Sequence, residues 1–556
     1  MPIFAAETSL PNGGLTTLDL VVIGLYLAGM LCMGFVIAMR QKSTDDFFVG
    51  GRNLPAWAVG VSILASLLST ITYLGMPGEM FRTGIGFLTR QLSIPVVLVV
   101  VWFLWIPFFM KLRLTSAYEY LEVRFNYAVR AMAAVICMLL IFGWMAVVVL
   151  TASRAMGEIA NLQLDQHFGE SAAVVDTQIA TSDLDLHVII AAVGMFSVLY
   201  TTLGGIRAVV WTDVIQFFIL IAGAFVAMGV VASMTDSGLS DWFQYSQEYK
   251  HEQVEWFSWD IGNRSTVFSI AIGMCFWIIC THGSNQVALQ RYFAVKDIRA
   301  ARKSYLVSAL ASFGLSLVLA AVGMSIMYFI AQHDLPAEAG LTSPELTTVR
   351  TAQDNMFPQF IRYYIPSGLR GMVVAALFAA AMSTIDSGSN SVSTILTVDF
   401  FRRLYPEGRT IASELKLART VTATMGIIVV VCTIGLYHAS KGTDIISLCQ
   451  KGFNMFLGPL GAIFVLAMFS RRATAATVLP AVVVGELVGI CSSYSNELFG
   501  KEFSTHMVVP ASWAATIVSS LLLSTLLRTL ANDEQQQWMW RPVVSGAGDH
   551  PVGEDG

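Results

Sequence analysis

Long apolar segments recur along the whole chain, and they restrict its fold more than any other feature. Of the 556 residues, 55% are hydrophobic and only 13% are charged, whereas a soluble protein carries about 25% charged residues. A helix of roughly 20 apolar residues crosses the hydrocarbon layer of a membrane, which is about 30 Å thick. The sequence therefore predicts an all-α integral membrane protein that forms one helical bundle. We expect thirteen spans, near residues 17–39, 55–80, 86–110, 129–157, 187–206, 211–233, 266–285, 304–332, 369–399, 416–437, 443–469, 475–494 and 508–530.

Lys and Arg fall in alternate connections between these spans. The connections that carry them are 40–54, 111–130, 204–210, 286–303, 400–419 and 470–474. The connections 159–185 and 234–264 are acidic instead. Because cytoplasmic loops hold the excess of Lys and Arg, we expect a multi-pass cell-membrane protein with its N-terminus outside and its C-terminus in the cytoplasm. The N-terminus lacks the basic region of a cleaved signal peptide, and we expect the polar tail 531–556 to be disordered.

Two spans contain polar interruptions. In the second span, hydroxyl residues precede Gly75 and Pro77; in the seventh, polar residues follow the apolar run. The polar residues are Ser69, Thr70 and Thr72 in one span and Thr281, His282, Ser284 and Asn285 in the other. The two spans lie five apart, the spacing of an inverted repeat whose halves each begin with a discontinuous helix beside a binding site. The alternative is that these small polar residues serve only helix–helix contact.

The ninth span holds a third polar stretch, AAAMSTIDSGSNSVSTIL, at residues 379–396. The hydroxyls of Ser383 and Thr384, with the carbonyl of Ala380 one turn earlier, are hard oxygen ligands that suit an alkali cation. Alternatively, the hydroxyls bond back to carbonyls of their own helix. Asp386 is a carboxylate inside a span, which is costly and therefore indicates a function. Asp213 is a second such carboxylate, and its alternatives are an ion pair with Arg207 or a cap at the helix start.

Five stretches of the chain carry a family resemblance. They read GRNLPAWAVGVSILASLLSTITYLGMPGEMFRTG, LTSAYEYLEVRF, YTTLGGIRAVVWTDVIQ, NQVALQRYFAVKD and AAMSTIDSGSNSVSTILTVDF. Between about Leu18 and Arg472 they resemble, in order, motifs of the sodium:solute symporter family. The resemblance implies a LeuT-type inverted five-helix repeat with about 13 transmembrane helices. By this division 1–40 is an extra N-terminal helix, 41–470 the ten-helix transport core, 471–530 two C-terminal helices and 531–556 a cytoplasmic tail.

The resemblance also assigns ligands for sodium. One Na⁺ site falls on the carbonyls of Ala65, Leu68 and Ala380 and on the hydroxyls of Ser383 and Thr384. A further sodium site, present in some members, falls on Asp213, Ser383, Asp386 and Ser387. At one of its positions, where the family usually has Ser or Thr, this chain has Asp386. That departure leaves the second site open.

The resemblance says less about the identity of the solute than about the sodium ligands. Sugar-carrying members have polar residues at places where this chain has Leu67, Ile71, Ile278 and Ser312, and a gate tyrosine where it has Thr281. The sequences of the motifs are most similar to those of the branch that transports iodide, monocarboxylates, and biotin or pantothenate. Arg90 could hold a carboxylate in a bidentate manner, or it could reach out to the headgroups. As substrate-binding candidates we take Ser69, Thr70, Thr72, Gln91, Thr281 and Asn285.

These observations predict a secondary active symporter that couples sodium to the import of a small solute, an organic anion. The alternatives are a sodium-coupled sugar or amino-acid symporter and a transporter-like membrane sensor. The sequence contains no HExxH, GxSxG or histidine cluster, so an enzyme is not expected, and the short tail after Leu530 argues against a sensor. No basic tract indicates nucleic acid, and the seven cysteines lie in apolar segments. The expected partners are the solute, Na⁺ and the lipid bilayer.

Overall fold

The computed structural model describes residues 14–39, 44–160, 162, 183–249, 251–260, 262–333, 350–405, 411–440 and 445–546. Within these ranges the chain is helical, and its one β-bridge joins Glu255 to Thr266. The helices of the first half are α1 (Thr17–Ala38), α2 (Thr44–Val49), α3 (Ala56–Leu67), α4 (Thr70–Thr83), α5 (Ile94–Val100), α6 (Ile106–Leu112), α7 (Glu119–Arg124), α8 (Tyr127–Ala160), α9 (Asp183–Thr235), α10 (Leu239–Glu248), α11 (Val267–Ser284) and α12 (Gln286–Phe293).

The second half continues the bundle. Its helices are α13 (Ile298–Gln332), α14 (Arg350–Tyr364), α15 (Leu369–Ile395), α16 (Arg402–Leu404), α17 (Ile411–Ala439), α18 (Ile445–Cys449), α19 (Met455–Phe469), α20 (Ala475–Ser493), α21 (Ser495–Phe499), α22 (Val508–Leu527), α23 (Asp533–Gln536) and α24 (Trp540–Ser545). Short 3₁₀ segments lie at Gly50–Arg52, Gly84–Ser93 and Thr505–Met507, and π-helical turns at Val101–Trp105, Leu396–Phe401 and Gln450–Asn454.

The described residues contain eleven helical stretches that are long and apolar enough to cross a membrane. The second predicted span is divided between α3 and α4, and the fifth is the first part of α9, which kinks at Gly205 (φ 54°, ψ −164°). Each predicted span thus coincides with helix, except that residues 443 and 444 of the eleventh lie outside the described ranges. The multi-pass helical architecture is confirmed.

The two predicted interruptions are real breaks in the helices. α3 ends at Leu67, and both Leu68 (φ −92°, ψ 110°) and Ser69 (φ −112°, ψ 176°) are extended before α4 begins. Between α11 and α12 a single extended residue, Asn285 (φ −82°, ψ 122°), separates the helices. The Asn285 side chain accepts a hydrogen bond from the Val287 amide at 2.9 Å. An N-cap of this kind satisfies one of the amides that a new helix start leaves unpaired.

α15 carries the polar stretch of the ninth span, and it is continuous. Every residue from Ala379 to Ile395 is buried. Small side chains allow neighbouring helices to come close: a Cβ at Gly388 would lie 2.6 Å from the Met145 sulfur of α8. α15 also packs against α3, α9 and α17, so its polar side chains point toward other helices and away from lipid.

Two arginines that the sequence analysis assigned to cytoplasmic loops are fully buried. Arg291 lies in α12, where every residue is buried, and not in a loop over 286–303. Arg124 lies in α7, and its guanidinium donates to the carbonyls of Ala467 at 2.9 Å and Ser470 at 2.7 Å. These two charges therefore satisfy internal acceptors, and they do not contribute to the loop asymmetry from which the orientation was predicted.

The expectation of a disordered tail is wrong for residues 531–546. This segment forms α23 and α24 and packs on the end of the bundle. The Trp540 indole donates to the Leu104 carbonyl at 3.0 Å, and its ring stacks on Phe469. Val543 is buried with it. Two tryptophans and a valine give the segment enough apolar surface to dock, although its composition is polar. Residues 547–556 lie outside the described ranges.

Candidate functional site

The end of α3 presents unpaired backbone oxygens to α15. The last four carbonyls of a helix receive no hydrogen bond from an amide of the same helix. Here the Leu68 amide donates to the Leu64 carbonyl, which is the last to be paired in this way. The carbonyls from Ala65 to Leu68 are therefore available to other donors or to a cation. The Ser383 hydroxyl donates to the Ala65 carbonyl at 2.7 Å. The break in the second span thus brings one helix end against the polar stretch of α15.

The oxygens predicted to hold sodium carry no formal charge, and we name them the neutral cluster: the carbonyls of Ala65, Leu68 and Ala380 and the hydroxyls of Ser383 and Thr384. Thr384 Oγ1 lies 3.5 Å from the Ala380 carbonyl, a long hydrogen bond. All five residues are buried. Hard oxygen donors of this kind suit an alkali cation. Among the described residues no group of three His, Cys, Asp or Glu could hold a metal ion.

One turn further along α15 lies a second cluster, and it contains charges. Asp213 of α9 is fully buried, and its Oδ2 accepts from the hydroxyls of Ser62 at 2.5 Å and Ser66 at 3.1 Å. The same oxygen lies 3.2 Å from Arg291 Nη2, and neither side chain of this ion pair is exposed. Asp213 therefore pairs with Arg291. It does not pair with Arg207, whose guanidinium reaches the Gly50 carbonyl at 3.4 Å.

Arg291 joins α12 to three other helices. Besides Asp213, its guanidinium donates to Ser62 Oγ at 2.9 Å, to the Val287 carbonyl at 2.6 Å and to Ser387 Oγ at 2.6 Å. Ser387 Oγ also lies 2.8 Å from Ser66 Oγ. We name Ser62, Ser66, Asp213, Arg291 and Ser387 the charged cluster. Its arginine carries a fixed positive charge, surrounded by acceptors.

Asp386 points to a different neighbour. Its carboxylate contacts the Thr201 hydroxyl of α9. Of the residues predicted for a second cation site, Ser387 and Asp213 meet in the charged cluster, and Ser387 Oγ is 2.6 Å from the Ser383 carbonyl. Asp386 lies on the adjoining face of α15. Of the residues predicted for the second sodium site, Asp213 and Ser387 thus contact Arg291, whereas Asp386 contacts Thr201.

Sequence reasoning missed four participants: Arg291, Ser62, Ser66 and Thr201. A signal existed for the serines, because Ser62 and Ser66 are four residues apart and share one face of α3. Arg291 follows the break in the seventh span closely enough to remain inside the bundle. No pattern in the sequence pointed to Thr201.

A cavity of about 280 Å³ lies next to the two breaks. Ser69, Thr72 and Gln91 line it, as predicted, together with Leu67, Ile71 and Ile278. Further lining residues are Glu79, Trp144, Met274, Trp277, Tyr305, Asn454, Thr505 and His506. The other substrate candidates, Thr70, Thr281 and Asn285, are buried beside the breaks and do not belong to the lining. Asn285 instead caps α12. His282 lines the cavity, and its Nδ1 lies 2.7 Å from the Tyr292 hydroxyl.

Arg90 also lines the cavity, so it faces inward and does not extend to the headgroups. Its guanidinium lies over the Phe87 ring, 5.2 Å from the centroid, and its Nη2 is 3.8 Å from the Met274 sulfur. No carboxylate among the described residues forms an ion pair with it. The nearby Glu79 is already paired with Arg82 at 3.0 Å and with Arg264 at 3.4 Å. The cavity therefore has an arginine available to an anionic solute.

Comparison with known proteins identifies the family of the chain. The model of the sodium:solute symporter family matches residues 47–485. The chain is 30% identical to the sodium/sialic acid symporter NanT of Aliivibrio fischeri over 469 residues, which are 84% of this chain and 86% of NanT. It is 29% identical to the sodium/sialic acid symporter SiaT of Proteus mirabilis, over 85% of this chain and 89% of SiaT.

A solved structure of a Na⁺-coupled sialic acid symporter, in a substrate-bound outward-open state, shares this fold. The two chains are 26% identical and superpose with a TM-score of 0.76. The alignment covers 93% of this chain and 99% of the sialic acid symporter. Mhp1, a nucleobase–cation symporter, aligns with a TM-score of 0.54 at 12% identity, which concerns the fold alone.

The fold is that of a sodium-coupled membrane transporter, with an inverted repeat and two broken helices around a cavity. The chain belongs to the sodium:solute symporter family. It is a transporter and not an enzyme, Na⁺ is its coupling ion, and a small solute is its cargo.

Proposed function

We propose that this symporter uses the sodium gradient to import a small organic anion, a monocarboxylate or a vitamin-like acid. The observation that carries the proposal is Arg90, a cavity-lining arginine with which no described carboxylate forms an ion pair. An arginine binds a carboxylate through two parallel hydrogen bonds, which makes it a strong and selective anchor. The apolar residues Leu67, Ile71 and Ile278 in the same wall offer no hydrogen bonds to a sugar. The relatives SiaT and NanT are named for sialic acid, which is also an organic anion.

We further propose that sodium binds in the neutral cluster. Two hydroxyls and three carbonyls supply the oxygen ligands that sodium needs, and none of them requires a counter-ion when the site empties. A second sodium is proposed at Asp386 and Ser383, with Ser387 and Asp213 at its edge, since Arg291 already contacts these last two side chains. In the cell membrane the N-terminus would lie outside and the C-terminus in the cytoplasm, so that the cavity admits solute from outside.

Energetics favour two sodium ions for an anionic solute. One sodium crossing 100 mV releases about 2.3 kcal/mol, and a tenfold sodium gradient adds about 1.4 kcal/mol. With one sodium per monovalent anion no net charge moves, so only the chemical gradient remains, and accumulation stops at about tenfold. A second sodium restores the electrical contribution. This is the physical reason to retain a second site near Asp386.

Uptake by proteoliposomes tests the proposal. Purified protein is reconstituted and offered labelled organic anions, neutral sugars and amino acids, with sodium or with potassium outside. We expect sodium-dependent uptake of at least one carboxylate, and competition by other carboxylates but not by their amides. Thr72→Trp should fill the cavity and abolish this uptake. Sodium-dependent uptake restricted to a neutral sugar or amino acid would overturn the proposed substrate class.

A further inference from the structure

We infer that the solute is an elongated carboxylate that spans the cavity, with its acid group at Arg90 and a hydrogen-bonding group at the break between α3 and α4. The inference rests on the proposed function and adds a length and an orientation to the substrate class. It follows from where the polar side chains lie along the cavity.

Arg90 lies far from the helix breaks. Its guanidinium contacts Met274, and Met274 precedes the break residue Asn285 by eleven positions in α11. At 1.5 Å per residue this is about 16 Å along the helix. The break of the second span forms the other end of the cavity, at Ser69 and Thr72. Glu79, whose charge acts on Arg90, follows Ser69 by ten residues, about 15 Å along α4. Allowing for the lengths of the side chains, the two ends are about 10 Å or more apart.

The Arg90 end has a second unused polar group. Thr505 lines the cavity, and its hydroxyl oxygen is buried without a hydrogen-bond partner. It lies at the level of Arg90, because the adjacent His506 packs on Gly273, next to Met274: a Cβ at Gly273 would be 2.4 Å from the His506 carbonyl. Buried polar atoms are almost always hydrogen-bonded. The Thr505 hydroxyl has no partner here, and the Arg90 guanidinium meets only a thioether sulfur and an aromatic ring, so the two groups together indicate a ligand. A carboxylate can accept from both.

The charge at this end also favours an anion. Glu79 faces Arg82 and Arg264, and Arg82 in turn lies 3.1 Å from Glu252. These two acids and two arginines balance one another. Arg90 adds one further positive charge at the wall of a cavity, where an opposite charge interacts more strongly than in bulk solvent.

The middle of the cavity is apolar. Trp277 and Ile278 follow Met274 along α11 in the direction of the break, and Ile71 lies beside Ser69. At the break, Ser69 is the residue preceding α4, and its side chain does not cap that helix. Its hydroxyl is therefore available to a solute. An acid of two to four carbons would reach one end only, whereas a longer acid with an apolar middle and a distal hydroxyl or amide would reach both.

The test measures ligand-dependent stabilisation of the purified full-length protein in sodium buffer. The probes are 3-hydroxypropanoate, 6-hydroxyhexanoate and 9-hydroxynonanoate, with hexanoate and 6-hydroxyhexanamide as comparisons. We expect 6-hydroxyhexanoate or 9-hydroxynonanoate to stabilise the protein at concentrations at least about tenfold lower than 3-hydroxypropanoate, since only these reach both ends. The amide should be at least about tenfold weaker than its acid, because it cannot form the charge-assisted pair.

Three variants locate the contacts. Arg90→Gln should remove the preference for acid over amide, and Arg207→Gln, which changes an arginine outside the cavity, should keep it. Ser69→Ala should remove the preference for 6-hydroxyhexanoate over hexanoate without changing the acid preference. If 3-hydroxypropanoate binds as well as the longer acids, or if Arg90→Gln keeps the acid preference, the inference is wrong.

The outcomes also separate this inference from the proposed function. Tight, Arg90-dependent binding of 3-hydroxypropanoate would leave an organic-anion symporter in place and refute only the length. Loss of every response to acids, combined with sodium-dependent uptake of a neutral sugar or amino acid, would refute both.

Discussion

The neutral and charged clusters lie one turn apart on α15, and their chemistry is opposite. In the neutral cluster, Ser383 and Thr384 meet backbone carbonyls, and no residue carries a charge. In the charged cluster, Asp213 and Arg291 form a fully buried ion pair held by serine hydroxyls. Both clusters connect α15 to the α3 side of the cavity.

The difference separates a site that can empty from one that cannot. A cation can leave uncharged oxygens at little electrostatic cost, because no unpaired charge stays behind. Removing either member of a buried ion pair, in contrast, leaves an isolated charge in a medium of low polarity. The neutral cluster is therefore suited to a sodium ion that binds and dissociates in each transport cycle. The charged cluster contains its own cation in Arg291 and is suited to holding helices together.

The largest effect is expected from breaking the buried ion pair. Arg291→Gln leaves Asp213 without its counter-charge, and we expect the free energy of unfolding to fall by about 3–5 kcal/mol. Thermal unfolding of the detergent-purified protein measures this, with Arg207→Gln as a control that should melt within a few degrees of wild type. The double variant Asp213→Asn with Arg291→Gln should recover part of the loss. If Arg291→Gln alone melts like wild type, the charged cluster does not stabilise the fold.

The next effect concerns transport and not stability. Ser383→Ala combined with Thr384→Ala removes two uncharged ligands, at a cost of about 1 kcal/mol for each hydrogen bond lost. We expect normal membrane insertion and loss of sodium-stimulated uptake, measured in proteoliposomes at rising sodium concentrations. Ser393→Ala is the matched control. The Ser393 hydroxyl lies on another face of α15 and donates to the Ala418 carbonyl of α17. Wild-type sodium activation in the double variant would place sodium elsewhere.

The smallest effect tests whether Asp386 belongs with either cluster. Asp386→Asn keeps the shape of the side chain and removes its negative charge. If Asp386 helps bind a second sodium, sodium activation should become less steep, and the charge moved for each anion should fall from about one to zero. The Hill slope of uptake and the ratio of charge to solute measure this. A variant with both quantities unchanged would show that the contact with Thr201 serves packing alone.

Much of the architecture could be predicted from the sequence, because hydropathy and helix periodicity are local properties. The spans follow from the energetic requirement that lipid-facing helices be apolar over about 30 Å. The breaks follow from clustered hydroxyl and small residues at Ser69 and Asn285, which favour caps over helix interiors. Helical spacing also placed Ala380, Ser383 and Thr384 on one face of α15. The structure places these residues as that spacing requires.

What the sequence could not determine is the partner that each buried polar side chain meets. Arg291 looked like a loop cation, since it lies beyond the expected end of the seventh span at residue 285, yet packing places it against Asp213, which is 78 residues away in the chain. Asp386 and Ser387 are consecutive, but the 100° turn between them directs one toward Thr201 and the other toward Ser66. The tail looked polar and docks through Trp540 on Leu104. Periodicity determines the angle between the side chains of one helix. Only the arrangement of the helices decides which neighbour each side chain meets. Because a buried polar group must be hydrogen-bonded, burial then makes each such pairing obligatory.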